Sequence, residues 1–217
     1  MVAISAELVK TLRERTGAGM MDCKEALVEA KGSLEAAVEV LRKRGLKDIS
    51  KRAGKIAAEG VLGVYVHPGE QVVAVVELNC ETDFVARNEE FRNLARNLAM
   101  QVAAMRPLYV AVEDIPPQIL ERETEILKAQ LTESQLAKAD KIIPGRLEKY
   151  YEDNVLYCQI YVKDESGKLK VKDLVDGLSA KMGEKIVVRR FQRFEVGEGI
   201  EKRVNDLAAE VARMVPA

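Results

Sequence analysis

Thr82, Asp83 and Phe84 place a hydroxyl, a carboxylate and an aromatic ring on consecutive residues of the stretch Asn79-Cys80-Glu81-Thr82-Asp83-Phe84-Val85-Ala86-Arg87-Asn88. An apolar run, Val72 to Leu78, enters this stretch, and a long amphipathic pattern leaves it. The acidic and aromatic side chains therefore meet at a polar strand-to-helix corner. No core partner for the ring is evident in the sequence. Phe84 either staples the strand to the following helix or is offered to a partner. Residue types alone put the staple first.

Other reactive residues are sparse. His67 is the only histidine and stands beside Pro68-Gly69, where a histidine is ordinarily a turn residue at the surface. No cysteine lies near it in sequence to make a nucleophilic pair. The phosphate-cradling pattern GxxxxGKS/T is absent, as is GxGxxG. Gly197-Glu198-Gly199 supplies only a GxG, which reads as a strand-to-helix turn. Cys23, Cys80 and Cys158 are odd in number, far apart and in no CxxC spacing, so neither a zinc site nor a disulfide framework is read. They fit a reduced compartment, with a regulatory thiol or an intersubunit disulfide as the lesser alternative. No metal, no cofactor and no catalysis are expected. Arg189-Arg190-Phe191-Gln192-Arg193-Phe194 interleaves basic and aromatic residues. That pattern suits a platform for a single nucleic-acid strand, or a β-strand with one buried face. The strand is the expectation, with Val188, Arg190 and Gln192 on one side and Arg189, Phe191 and Arg193 on the other.

Of 217 residues, 34 are Lys or Arg and 35 are Asp or Glu, a formal net charge of −1. Broad binding to nucleic acid relies on many cationic contacts to phosphates, so no direct nucleic-acid partner is expected. With 47% hydrophobic and 32% charged residues, the chain is expected to be soluble and globular. No apolar run approaches the ~20 residues of a membrane span. The start, Met1 to Lys10, lacks a secretory apolar block. A cytoplasmic protein without a membrane partner is expected.

The elements that must position the corner follow from periodicity. Residues 1–45 read as three short helices. Ser5 caps the first and Gly17 ends it, Gly32 stops the second, and Ser33 and Gly45 bracket the third. Met20, Cys23, Ala26, Leu27 and Ala30 stripe the second helix, although adjacent Met20 and Met21 cannot both face one core. Residues 46–57 form a basic connector, read as a solvated helix or linker face. Strands at Gly60 to His67 and Gln71 to Leu78 make a hairpin, and a helix over about 88–105 packs on it. Charged helices follow over about 116–130 and 133–152, with Lys141 to Gly145 a candidate interruption. A strand is expected over 155–162, a helix over 171–182 and a strand from Lys185 to Val196. A last helix has the face Val204, Leu207, Ala208, Val211 and Val215. The fold class is α+β. A three-helix bundle over 1–52 precedes an α+β core with an antiparallel sheet over 53–217.

Two segments resemble the signature regions of the bacterial elongation factor Ts family. One is Leu12-Arg13-Glu14-Arg15-Thr16-Gly17-Ala18-Gly19-Met20-Met21-Asp22-Cys23-Lys24-Glu25-Ala26-Leu27, and the other is Asn79 to Asn88. Ala58 to Val61 and Gly183 to Phe191 are similar to further parts of that family's core, so the likeness runs in order over almost the whole chain. Val155 to Lys163 departs from the family's pattern, which leads one to expect a more Glu-Gln-Pro-like turn there. The resemblance implies a non-catalytic guanine nucleotide exchange factor of protein biosynthesis. Its partner would be elongation factor Tu, GDP-bound and nucleotide-free. It implies that Thr82, Asp83, Phe84 and Val85 disturb the Mg²⁺ and phosphate site of that partner. It implies that a bundle similar to ubiquitin-associated domains anchors the partner through Leu12, Met20 and Met21, the other reading of the two methionines being that both cover the bundle's own core. It also implies a homodimer, because the chain looks like the version with one core repeat. The resemblance reverses the order of the two readings of Phe84. The competing readings are an RNA-binding module resting on Arg42 to Lys55 and Arg189 to Arg193, and an enzyme with an unrecognised cleft.

Overall fold

The computed structural model describes residues 4–52 and 54–200. The fold is α+β, with helices around one three-stranded antiparallel sheet. Ser5 opens helix α1 (Ala6–Thr16): its hydroxyl accepts from the Leu8 amide at 3.2 Å, and Gly17 closes the helix in the left-handed conformation, φ 68°. Helices α2 (Met20–Glu29) and α3 (Leu34–Arg52) complete a bundle. Val9, Leu12, Cys23, Ala26, Leu27 and Ala37 are its buried core.

Helix α3 is longer than its sequence predicts. It runs through Gly45, the expected stop, and takes in much of the expected connector. The glycine is there for another reason. α3 crosses helix α9 (Val171–Met182), and a Cβ at position 45 would stand 3.3 Å from the Ala180 Cβ. Arg42 pairs with Asp173 across the same crossing at 3.2 Å.

Strands β1 (Glu59–Val66) and β2 (Val72–Cys80) form the expected hairpin, and β3 (Val187–Glu195) adds on the far side of β2. The sheet's inner face carries Ala74, Val76, Leu78 and Val188 onto α5 (Glu89–Met105), which contributes Phe91, Leu94, Leu98 and Val102. Gly63 is the point of closest approach. A Cβ there would lie 2.1 Å from the Ala95 carbonyl oxygen, so no side chain fits between β1 and α5. On the outer face Leu62, Val64, Val66 and Phe194 are exposed.

A β-bulge changes the expected facing of β3. Glu77 lies opposite Arg190 and Leu78 opposite Val188, which leaves Arg189 as the extra residue. Val188 and Phe191 then share the inner side with Arg193, whose Nε donates to the Ala103 carbonyl at 3.2 Å. The Val188 amide at the bulge donates to the Tyr157 hydroxyl at 2.9 Å, and burial pushes that hydroxyl up to about 12.

The strand expected over 155–162 is not formed. A 3-10 turn, Leu156–Cys158, lies there with isolated bridges Tyr109 to Val155 and Ile160 to Lys170. Adjacent Val155 and Leu156 are both fully buried, which the strict alternation of a strand on one layer does not allow. Buried amides hold the segment instead. The Gln101 Nε2 donates to Gln159 Oε1 at 3.1 Å and to the Ile160 carbonyl at 3.0 Å, and its Oε1 accepts from the Val162 amide at 2.7 Å.

Three helices, α6 (Pro117–Ala129), α7 (Glu133–Leu136) and α8 (Ala139–Asn154), fill the interval between α5 and this strap. The break in the expected 133–152 helix falls before Ala139, and α8 continues through Pro144. The proline stands early in the helix and removes one backbone bond there. The face expected for the last helix, Val204 to Val215, lies outside the described residues.

Candidate partner-contact site

The corner begins where β2 ends. Cys80 is buried, and its thiol donates to the Thr82 carbonyl at 3.1 Å. Burial pushes that thiol up to about 11, so it stays protonated at neutral pH and acts as a donor. The chain then turns into α4 (Asp83–Ala86), one helical turn long. Val85 and Ala86 point into the sheet core. Phe84 is 81% exposed. The stapling role that residue types favoured thus falls to Val85, and the ring itself faces solvent. The Asp83 carboxylate pairs with Arg87 at 2.8 Å, one turn on, and both side chains remain accessible. The Asn88 side chain then caps α5 by accepting from the Glu90 amide at 2.8 Å.

Carboxylates from distant sequence brace this turn. Glu184, in the loop between α9 and β3, accepts from the Thr82 hydroxyl at 2.6 Å and the Thr82 amide at 3.0 Å. It also accepts from the Glu81 amide at 3.1 Å. Glu81 in turn accepts from the Lys185 amide at 2.7 Å and pairs with Lys55 Nζ at 2.7 Å. Lys55 and the Lys185 amide hold the Glu81 carboxyl below its ordinary value.

The bundle presents a second apolar spot. Met20 is 54% exposed and Met21 65%, and Val28 on the same helix is exposed as well. Met20 leaves the stripe in which its spacing placed it, because Cys23, Ala26 and Leu27 already fill the small core. Met21 lines a shallow groove with Lys24, Val28 and Arg44, where Arg44 pairs with Glu25 at 3.0 Å and Glu29 at 2.8 Å. Leu12 is fully buried in the bundle core.

The two spots are tied through one lysine. A Cβ on Gly17, in the α1–α2 turn, would lie 3.1 Å from Lys181 Cε. The Lys181 ammonium reaches Glu90, in the first turn of α5, at 2.6 Å. Glu184, Lys181 and Arg87 were not legible as site residues. For Arg87 the four-residue spacing from Asp83 was a usable signal; the other two act across about half the chain or more.

Other sequence candidates are otherwise engaged. Arg189 and Arg190 both pair with Glu77, at 2.8 and 2.6 Å, and Arg193 pairs with Glu195 at 2.7 Å. Each of the three guanidiniums of β3 thus holds a carboxylate, Arg189 and Arg190 sharing that of Glu77. His67 lies beside Tyr65 at the hairpin tip, the hydroxyl and Nδ1 3.2 Å apart. Among the described residues no group of His, Cys, Asp and Glu could hold a metal ion, and no helix is long and apolar enough to cross a membrane.

A braced corner with an exposed ring, and a methionine pair on a small bundle, define an α+β protein that carries apolar side chains at its surface. The family model described as "Elongation factor TS" matches residues 2–198. The chain is 58% identical to "Elongation factor Ts" of Moorella thermoacetica over 199 residues, 91% of this chain and 97% of that one. It is 54% identical to the protein of that name from Caldanaerobacter subterraneus, over 92% of this chain and all of the other. With that of Desulforamulus reducens the identity is 51% over the full length of both. This chain belongs to the elongation factor Ts family, whose place is in translation.

Proposed function

We propose that the chain is a non-catalytic guanine nucleotide exchange factor for elongation factor Tu, working in the cytoplasm. It binds Tu–GDP, promotes GDP release by disturbing the Mg²⁺ and phosphate site, and leaves Tu free to reload with GTP. The observation that carries this reading is Phe84, exposed on a braced corner in a chain of this family. A phenylalanine side chain held in water gains about 2 kcal/mol when a partner buries it.

GDP on such a GTPase is held by backbone donors around its phosphates, a lysine and Mg²⁺. Phe84 wedges between side chains of the nucleotide domain and shifts the helix behind the metal site. Asp83, which can exchange its exposed pair with Arg87, adds negative charge or a competing hydrogen bond near the Mg²⁺ shell. Thr82 and Val85 hold the turn, one through Glu184 and one through the core. Met20 and Met21 anchor the bundle with adaptable contacts, and Leu12 supports them from beneath. Linkage sets the scale: bound factor weakens GDP by the ratio in which it prefers empty Tu. A coupling of ~3–4 kcal/mol is a few hundredfold in affinity.

The exposed outer sheet face supports the homodimer. Leu62, Val64 and Val66 on β1 and Phe194 on β3 form an apolar surface that a second copy of the same face would cover, leaving one corner for each of two Tu molecules. Val64→Lys is expected to give a monomer in sedimentation.

The deciding experiment times the departure of fluorescent GDP from Tu. The unaltered chain is expected to speed it. Phe84→Ala with Asp83→Ala is expected to slow release on the order of a hundredfold, with the circular dichroism spectrum unchanged. Unaltered release by that double variant rules out the wedge.

A further inference from the structure

We propose that Glu184 is the positioning residue of the contact corner: its carboxylate fixes the direction in which Phe84 points. The proposal rests on the exchange reading above and adds to it a residue about a hundred positions away in sequence. Helix α4 is one turn long, and a single turn does not sustain itself. Thr82, at its N-cap, makes no side-chain capping bond to the turn. Its hydroxyl is spent on Glu184 Oε1 at 2.6 Å, while Oε2 receives the Thr82 and Glu81 amides at 3.0 and 3.1 Å. The acceptor that organises the start of α4 thus comes from the α9–β3 loop.

Glu184 is itself held. The buried Ser179, in the last turn of α9, donates its hydroxyl to the Glu184 carbonyl at 2.5 Å. Next to it, the Lys185 amide donates to Glu81 at 2.7 Å. Each of the two segments therefore receives the other's backbone N–H in a carboxylate. This two-way exchange sets both position and rotation, which one bond cannot do. Charge-assisted bonds to backbone N–H groups are the strong kind. Removing the Glu184 carboxylate leaves Phe84 exposed and apolar but no longer aimed. A misaimed ring can still be buried by a partner, yet it does not deliver its push to one place. The role predicts a split between rate and affinity.

The test uses the full chain and Tu loaded with fluorescent GDP. Glu184→Ala is expected to lower the release rate at saturating factor about tenfold, while the factor concentration at half-maximal effect moves less than about threefold. Glu184→Gln is expected to stay within about threefold of the unaltered rate, because its amide oxygen accepts both N–H groups and its nitrogen donates to the Thr82 hydroxyl. In a Phe84→Ala background, Glu184→Ala is expected to slow release no further. An unaltered rate for Glu184→Ala, or an equal slowing with and without Phe84, overturns the positioning role. Should Glu184→Ala unfold on heating at the assay temperature, Thr82→Val removes the hydroxyl bond alone and carries the same comparison, additivity with Phe84→Ala again overturning it. A slow Phe84→Ala beside a fast Glu184→Ala sinks the clamp only. A Phe84→Ala as fast as the unaltered chain sinks the wedge and the clamp with it, and an unaltered chain that does not speed GDP release sinks the exchange reading itself.

Discussion

The Phe84 corner and the Met20–Met21 turn both show apolar side chains within the two family-like segments, and they are built in opposite ways. The corner is held by groups far off in the chain: Glu184, Lys185 and Lys55 converge on Glu81 and Thr82. The methionines start a helix that rests on the small bundle core below them and on the pairs of Glu25 and Glu29 with Arg44. The corner offers one aromatic ring on a braced backbone. The turn offers two flexible thioethers on a mount that tolerates adjustment. The contrast suggests that the corner sets how hard the partner is pushed and the turn how firmly it is held.

The largest expected effect separates the two mounts. Leu12→Ala is expected to cost ~2–5 kcal/mol, by cavity formation in the bundle core. Urea unfolding is expected to show an early bundle transition while amides of β2 keep their hydrogen-exchange protection. Simultaneous loss of both regions would show that they share one cooperative unit. Next in size, Met20→Ala with Met21→Ala is expected to weaken binding to Tu about tenfold and to leave the release rate at saturation unaltered. A fall in that rate comparable to the one for Phe84→Ala breaks the contrast.

Lys181→Ala tests the tie between the regions. An exposed pair of this kind contributes ~0.2–1 kcal/mol, so the expected change in binding is at most a fewfold. The smallest effect is an acid one. Glu81 has a folded value below its unfolded value of ~4.3. Its contribution is therefore complete above about pH 4.3 and is lost as pH falls through the lower folded value. The Lys185 amide is expected to lose hydrogen-exchange protection in that window, while the α1 and α2 amides keep theirs. Asp164 is held at about 2 by the Leu169 amide, the Ser166 hydroxyl and the Lys168 amide, and its contribution is lost on the same sign as pH falls through that value.

Much of this architecture was legible, for identifiable reasons. α1, α2, α5, α9 and the β1–β2 hairpin have clean apolar periods and end on Gly or capping residues. Three errors share a cause: tertiary contact overrode a local signal. Gly45 reads as a helix stop but faces Ala180 across a helix crossing. Val155 to Val162 reads as a strand but is a strap fixed by buried amides. The facing in β3 follows strict alternation only until the bulge at Arg189. For the corner, residue types favoured a buried Phe84, and the family likeness reversed that order. Glu184 carried no local signal, because its three bonds join segments about a hundred residues apart.

Gly63 gives the corner a fulcrum. The backbone of α5 rests on β1 with only a hydrogen atom between them, and α4 joins the near end of that helix through Arg87 and Asn88. Any methyl group at position 63 must lift α5 from the sheet, and a lever lifted at its pivot swings its tip. The aim of an aromatic ring at the surface is thus calibrated by a missing side chain in the interior, which makes drift at position 63 a threat to force transmission even where folding survives.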